Sequence, residues 1–355
     1  MRSFAATVAA LERANIPVEA ACDQGCMALT THGARLIGLS LSERDENLLY
    51  THPRLEETEV VIHRPEVLAA GIGGDRLWFA PELRYHWRGA PDWVSFSNNS
   101  VPKESDPGAY VFVDAGANAL SVAGAVSLPT TTDAPPLPIR VGRTISFAPP
   151  PLPHGHALMR PVDYVGVRSD WRLDIEEGAK VGRVDLWHIL QAEVDARAIA
   201  PVNPGRGKDL LLYSPNHSDW TVRDDHVHWR FRGAANAKLG LSAKATTGRA
   251  GFVRRLSDGR TSLIVRDFPV RHDREYGDHP HGAPRNDQVL QLWDGFGFGE
   301  VEYHSPVLDA AEGARSLEES DHIWAFASSA TAIAALGSAL LAVDIHSYVT
   351  KEMRA

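Results

Sequence analysis

The residues best placed to do chemistry lie close together near the end of the chain, in the stretch QVLQLWDGFGFGEVEYHSP (residues 288–306). Glu300, Glu302 and His304 are spaced two apart in an alternating run, so on a strand they project from one face of a sheet. Carboxylates and an imidazole beside aromatic rings can take and give protons, as general acid–base chemistry on a small polar substrate requires. The same spacing also describes a solvated sheet face, the ordinary place for a glutamate such as Glu300.

A second dense segment, GIGGDRLWFAPELRYHW (residues 71–87), places Asp75, Arg76, Trp78, Glu82, Tyr85, His86 and Trp87 just after a pair of glycines. Rings that stack on the apolar faces of sugars, with Asp, Arg and Glu to hold hydroxyls, suit a carbohydrate. A structural loop with an Arg–carboxylate pair and core tryptophans would use the same residues. Arg266, in the strand-like TSLIVRDF, is a further candidate substrate contact.

Three H-x-H pairs keep metal chemistry in view: His154/His156, His226/His228 and His279/His281. Only His226 and His228 fall in a strand-like run, where two ring nitrogens share a face, so they are weak candidate ligands for a divalent ion. No third ligand has a position fixed by the sequence, and the expectation is that no cofactor is bound. His217 lies in a polar loop, and His188 in DLWHILQ is flanked by Leu186, Trp187, Ile189 and Leu190, the setting of a core histidine. No nucleotide-binding loop, serine-hydrolase elbow or H-E-x-x-H motif occurs.

The elements that must hold these groups are mostly strands. Alternating segments recur at short spacing with Gly and Pro turns between them, among them residues 26–41, 59–63, 163–197, 222–232 and 261–268. Proline-rich stretches near 128–138 and 149–154 read as loops, because strands resume on both sides. Helical periodicity is confined to the ends: MRSFAATVAALERANIP forms an amphipathic helix over residues 1–17 rather than a signal peptide, and residues 323–350 form a packed helical segment. The 21 residues 323–343 carry no charge but are rich in Ala, Ser, Thr and Gly, which argues against a membrane span. The expected fold is all-β, a large antiparallel β-sandwich spanning residues 1–355 as one domain with short terminal helices.

At 355 residues, 44% apolar and 23% charged, the chain has the composition of a soluble globular protein. A net charge of −9 disfavours nucleic acid and anionic membranes as partners, leaving a small-molecule or oligosaccharide substrate. The two cysteines, Cys22 and Cys26, read as buried free thiols, a usage that fits the cytoplasm. Oligomeric state is not legible.

Four segments in order, HGARLIGLSL…ENLLY, GGDRLWFAPE, LWHILQ and FGEVEYHSP, resemble the landmarks of the galactose mutarotase-like superfamily over residues 28–310. The nearest branch is one of uncharacterised relatives whose segments run GG-x-x-LW-x-APE and later E-x-x-x-P. The resemblance implies a β-supersandwich that binds sugars in a groove on one sheet. It further implies aldose 1-epimerase chemistry, in which a late glutamate takes the anomeric proton and a histidine protonates the ring oxygen. Glu302 matches that glutamate, and His188 loosely matches the mid-chain histidine of an N-H motif, although Trp187 stands where the Asn would be. Asp75 stands near an early family histidine, for which His86 is the candidate replacement. Other members of the fold are glycoside hydrolases, polysaccharide lyases and sugar-binding proteins, and these stay open as alternatives.

Overall fold

The computed structural model describes residues 2–56, 71–86, 101–130, 134–153, 155–179, 182–207, 210–212, 219–234, 236–277 and 288–351. The expected strand 59–63, Trp87, His154, His217, His279 and His281 lie outside them. The described residues form two ten-stranded sheets whose paired strands all run antiparallel. This is the expected all-β sandwich.

The first sheet is centred on four neighbours in the order Asp75–Ala80, Arg183–Ala192, Phe298–His304 and Gln288–Gly295. Val18–Cys22, Cys26–Thr30 and Arg35–Ser40 extend it on one side, Ala237–Ser242 and Leu210–Leu212 on the other. The hairpin expected within residues 288–304 is present, and Phe296 and Gly297 make its turn with positive φ of 52° and 89°. The second sheet runs Trp220–Val222, His226–Arg230, Arg197–Pro201, Arg249–Arg255, Thr261–Asp267, Ser316–Ser328, Asp163–Ile175, Leu137–Phe147, Ala119–Leu128, Val111–Ala115.

Alternation along each strand builds the core between the sheets. Leu77, Phe79, Leu186, Leu190, Leu290, Leu292 and Val301 from the first sheet meet Val141, Val165, Val167, Leu173, Ile264 and Ile323 from the second. Each such side chain contributes about 1.5–3 kcal/mol by leaving water. The core also holds a charged network. Asp75 binds Arg266 at 2.7 Å and also Arg143; Arg266 reaches Asp321 at 3.1 Å, and Trp171 Nε1 donates to Asp321 at 3.0 Å. These four charged side chains have no exposure and balance in sign, so the network ties one sheet to the other without leaving net charge in the interior.

Both chain ends pack on outer faces. The helix Phe4–Arg13, capped by Ser3, lays Phe4 and Leu11 on Cys26, Ala28 and Ile37. At the other end the helix is Ala330–Leu341, capped by Ser329, and residues 323–328 belong instead to the long strand Ser316–Ser328. That corrects the expected helix from 323. The strand is buried on both faces there, with Ile323 and Ala325 in the central core and Trp324 and Phe326 under the helix, so its sequence is continuously apolar. A second correction concerns the cysteines. Cys22 and Cys26 face each other across a tight hairpin and form a disulfide, so the free-thiol argument for a reducing compartment loses its premise. No helix among the described residues is long and apolar enough to cross a membrane.

Candidate active site

On the outer face of the first sheet, register brings the acid–base residues into rows. Trp78, Trp187 and His304 lie side by side on three strands, and the next row is Arg76, Ile189, Glu302 and Gln291. A third row holds Gln191, Glu300, Trp293 and Lys238. Glu300, Glu302 and His304 therefore share a face, as their spacing predicts.

Glu302 sits at the centre. Its Oε2 accepts a 2.7 Å hydrogen bond from Trp187 Nε1 and lies 3.2 Å from Lys238 Nζ. The same ammonium is 3.6 Å from Glu82 Oε2 and lies 4.6 Å from the centre of the Trp187 ring. The Glu302 residue is only 1% exposed. Burial pushes its carboxyl up; Lys238 opposes this, Glu300 adds to it, and His304 and the Trp187 bond oppose it. Such a group has a higher proton affinity than a surface glutamate while a cation keeps its charged form accessible.

The neighbours are held firmly. Glu300 Oε1 accepts from Arg76 Nη2 at 2.7 Å and from Gln191 Nε2 at 3.0 Å. Arg76 lies 3.7 Å from the Trp78 ring centre, and Trp78 Nε1 donates to Asp106 at 2.8 Å. Asp106 is lowered to about 2: the Arg35 guanidinium at 2.5 Å, with His32 and Arg76 beyond it, outweighs the cost of burial. His304 stacks on Trp187 at 5.5 Å with its Nδ1 3.6 Å from Asp185. His86 packs against Trp78 and Trp187 at 5.0 and 5.7 Å, and its Nε2 is 3.1 Å from the Phe79 carbonyl oxygen.

Thus Glu302, Glu300, His304, Arg76, Trp78, Glu82 and His86 come together. Asp75, His188 and Arg266 do not. Each points into the space between the sheets, because Asp75 and His188 are one residue out of step with Arg76 and Trp187, and Arg266 belongs to the other sheet. His188 stacks on Tyr303 at 4.1 Å and meets Trp171 edge-on at 4.8 Å, with Nε2 3.8 Å from Glu319. Burial, then Arg266 and Arg143, holds it well below the usual imidazole range, so it is a neutral core ring. The roles expected for these three residues at the sugar are corrected accordingly.

His226 and His228 sit on the second sheet. His226 bridges Asp225 at 2.7 Å and the Tyr348 hydroxyl at 2.8 Å, while His228 stacks on Tyr348 at 3.8 Å. No group of three or more His, Cys, Asp or Glu is placed to hold a metal among the described residues. The sequence reading missed Trp187 and Lys238. Trp187 was legible as the outward neighbour of a buried histidine, whereas nothing in NAKLG marks Lys238.

By sequence, no family model and no curated protein matches the chain. Solved structures do match in fold. A candidate aldose 1-epimerase from Escherichia coli K12 superposes with a TM-score of 0.50 at 8% identity, over 87% of this chain and 99% of that one. A galactose mutarotase-like protein from Lactobacillus casei ATCC 334 gives 0.42 at 11%, covering 87% and 100%. Galactose 1-epimerase from Lactobacillus acidophilus NCFM gives 0.41 at 8%, covering 86% and 92%. The chain has the galactose mutarotase-like fold.

Proposed function

We propose that the chain is a carbohydrate-active isomerase of the aldose 1-epimerase kind, with Glu302 as its base. The observation that carries this reading is the shielded Glu302 carboxylate, held by Trp187 and Lys238 on the sheet face that also presents His304 and the Arg76–Trp78 pair. In this reading Glu302 takes the proton of the anomeric hydroxyl. The bond between C1 and the ring oxygen breaks with its electron pair going to the oxygen, which takes a proton from His304. The open aldehyde rotates about C1–C2, and the steps reverse on the other face of the carbonyl. Lys238 counters the upward push of burial on the Glu302 carboxyl, and Arg76, held over the Trp78 ring, offers a donor to a sugar hydroxyl.

The test is anomer interconversion in freshly dissolved aldoses, followed by polarimetry or proton NMR above the spontaneous rate. Glu302→Gln keeps the shape and removes the proton-taking group. The expected loss is about two to four orders of magnitude with ligand affinity largely kept. An unchanged rate removes Glu302 from the mechanism, and sugar binding without turnover in the wild type makes the chain a recognition protein.

One arrangement favours a second reading, glycoside hydrolysis. Glu82 and Glu302 flank the same Lys238 ammonium, so two carboxylates face one space as acid and base or nucleophile. Release of reducing ends from oligosaccharides distinguishes it.

A further inference from the structure

The second sheet carries a groove far from the Glu302 face, with a volume of about 720 Å³. That is within the range of small-molecule sites, ~300–1,000 Å³. Its floor is two rows of side chains crossing four strands in register. One row is Ser121, Thr144, Asp170 and Ser320, all hydroxyl or carboxylate. Ser121 and Thr144 are hydrogen-bonded at 2.9 Å, and Ser320 donates to Asp170 at 2.5 Å. The other row is Ala123, Gly142, Arg172 and Glu318.

Two features set this face apart from a merely solvated one. Gly142 lies mid-strand in Leu137–Phe147, and a Cβ built there would meet no atom within 4 Å. A bare position under open space in a strand interior leaves room for a ligand at a cost in strand stability. Arg271, exposed at one end of the groove, makes no side-chain hydrogen bond or ion pair among the described residues, unlike Arg168 and Arg172, which are engaged by Asp170, Asp174 and Glu318. Glu319, between Glu318 and Ser320, turns its side chain to the other face of the strand, where its Oε1 lies 3.8 Å from His188 Nε2, and so adds no charge to the groove. Arg168 and Arg172 are thus matched by Asp170, Asp174 and Glu318, which leaves Arg271 as the guanidinium open to a ligand.

We propose that this groove is a second binding site, for an acidic saccharide, with the ligand carboxylate on Arg271, its hydroxyls along the Ser121–Asp170 row and its ring over Gly142. A guanidinium without a partner matches a carboxylate bidentately, and the hydroxyl row offers both donors and acceptors to a sugar. The inference rests on the groove's own lining and stands whether or not Glu302 catalyses.

Isothermal titration of the full chain with D-galacturonate, D-glucuronate and their short oligomers, with D-galactose as the neutral control, tests it. A uronate should bind the wild type, and Arg271→Gln should weaken it about tenfold or more, the scale of one charge-assisted bond. Gly142→Trp should block the groove and abolish uronate binding. The proposal is overturned if no uronate binds, if Arg271→Gln binds as tightly as the wild type, or if galactose competes equally. Arg271 is at the surface, so its variant reports even where Gly142→Trp fails to fold.

Discussion

Glu319→Gln should make folding stability much less dependent on pH. Glu319 has an ordinary carboxyl value of 4.5 when unfolded and about 8 when folded, because burial and Asp321 disfavour its charge more than Arg271 and Arg266 favour it. Between those two values the unfolded chain releases this proton and the folded chain keeps it, so stability falls as pH rises. Each pH unit costs about 1.4 kcal/mol, which amounts to about 4–5 kcal/mol lost across the window and nothing further above it. Gln mimics the protonated acid in shape and donor capacity and has no proton to lose. At pH 5 the variant should match the wild type to within about 1 kcal/mol, and near pH 8 it should be the more stable by several. His188, 3.8 Å away, is common to both proteins, so the difference between their curves isolates Glu319. Urea unfolding from pH 5 to 9 is the assay. Parallel curves for the two proteins would refute the argument, since they would mean that Glu319 ionises alike in both states.

Two further outcomes concern the sheet face of Glu302. Lys238→Met removes the cation that lowers the Glu302 carboxyl, so the acid limb of kcat/KM against pH should move to higher pH; an unmoved limb would detach Lys238 from the base. His188→Phe keeps a flat ring between Tyr303 and Trp171 and should change stability by less than about 1.5 kcal/mol with turnover kept within a few-fold. A hundredfold loss of kcat without loss of fold would return His188 to the chemistry.

Much of the fold was legible because local pattern and tertiary role agreed. The run 288–304 alternates, breaks at glycines and alternates again, and it forms the hairpin that this pattern describes. Residues 323–328 were not legible, because a strand buried on both faces loses its alternation and reads as an apolar helix. The disulfide was not legible either. A C-x-x-x-C spacing closes only if the three residues between form a hairpin turn, and that depends on the pairing of Val18–Cys22 with Cys26–Thr30.

The site was half legible for a more specific reason. Spacing within one strand tells which residues share a face, and it put Glu300, Glu302 and His304 together. It does not tell which face of a neighbouring strand joins them. Arg183–Ala192 has polar groups on both faces, Asp185 and Gln191 outward and His188 inward, so its own sequence is ambiguous. Pairing with Phe298–His304 resolves it, since Tyr303 stands opposite His188 and His304 opposite Trp187. The family pattern expects a histidine to act with the glutamate, but here the residue on the glutamate's side is Trp187, which can donate a hydrogen bond to Glu302 and cannot give up a proton near neutral pH. If this face opens sugar rings, the described groups beside Glu302 that can supply the proton for the ring oxygen are His304, Lys238 and Glu82. His304→Gln in a rate assay tests the first of them: a loss comparable to Glu302→Gln assigns the acid to His304, and a retained rate takes His304 out of the proton transfer.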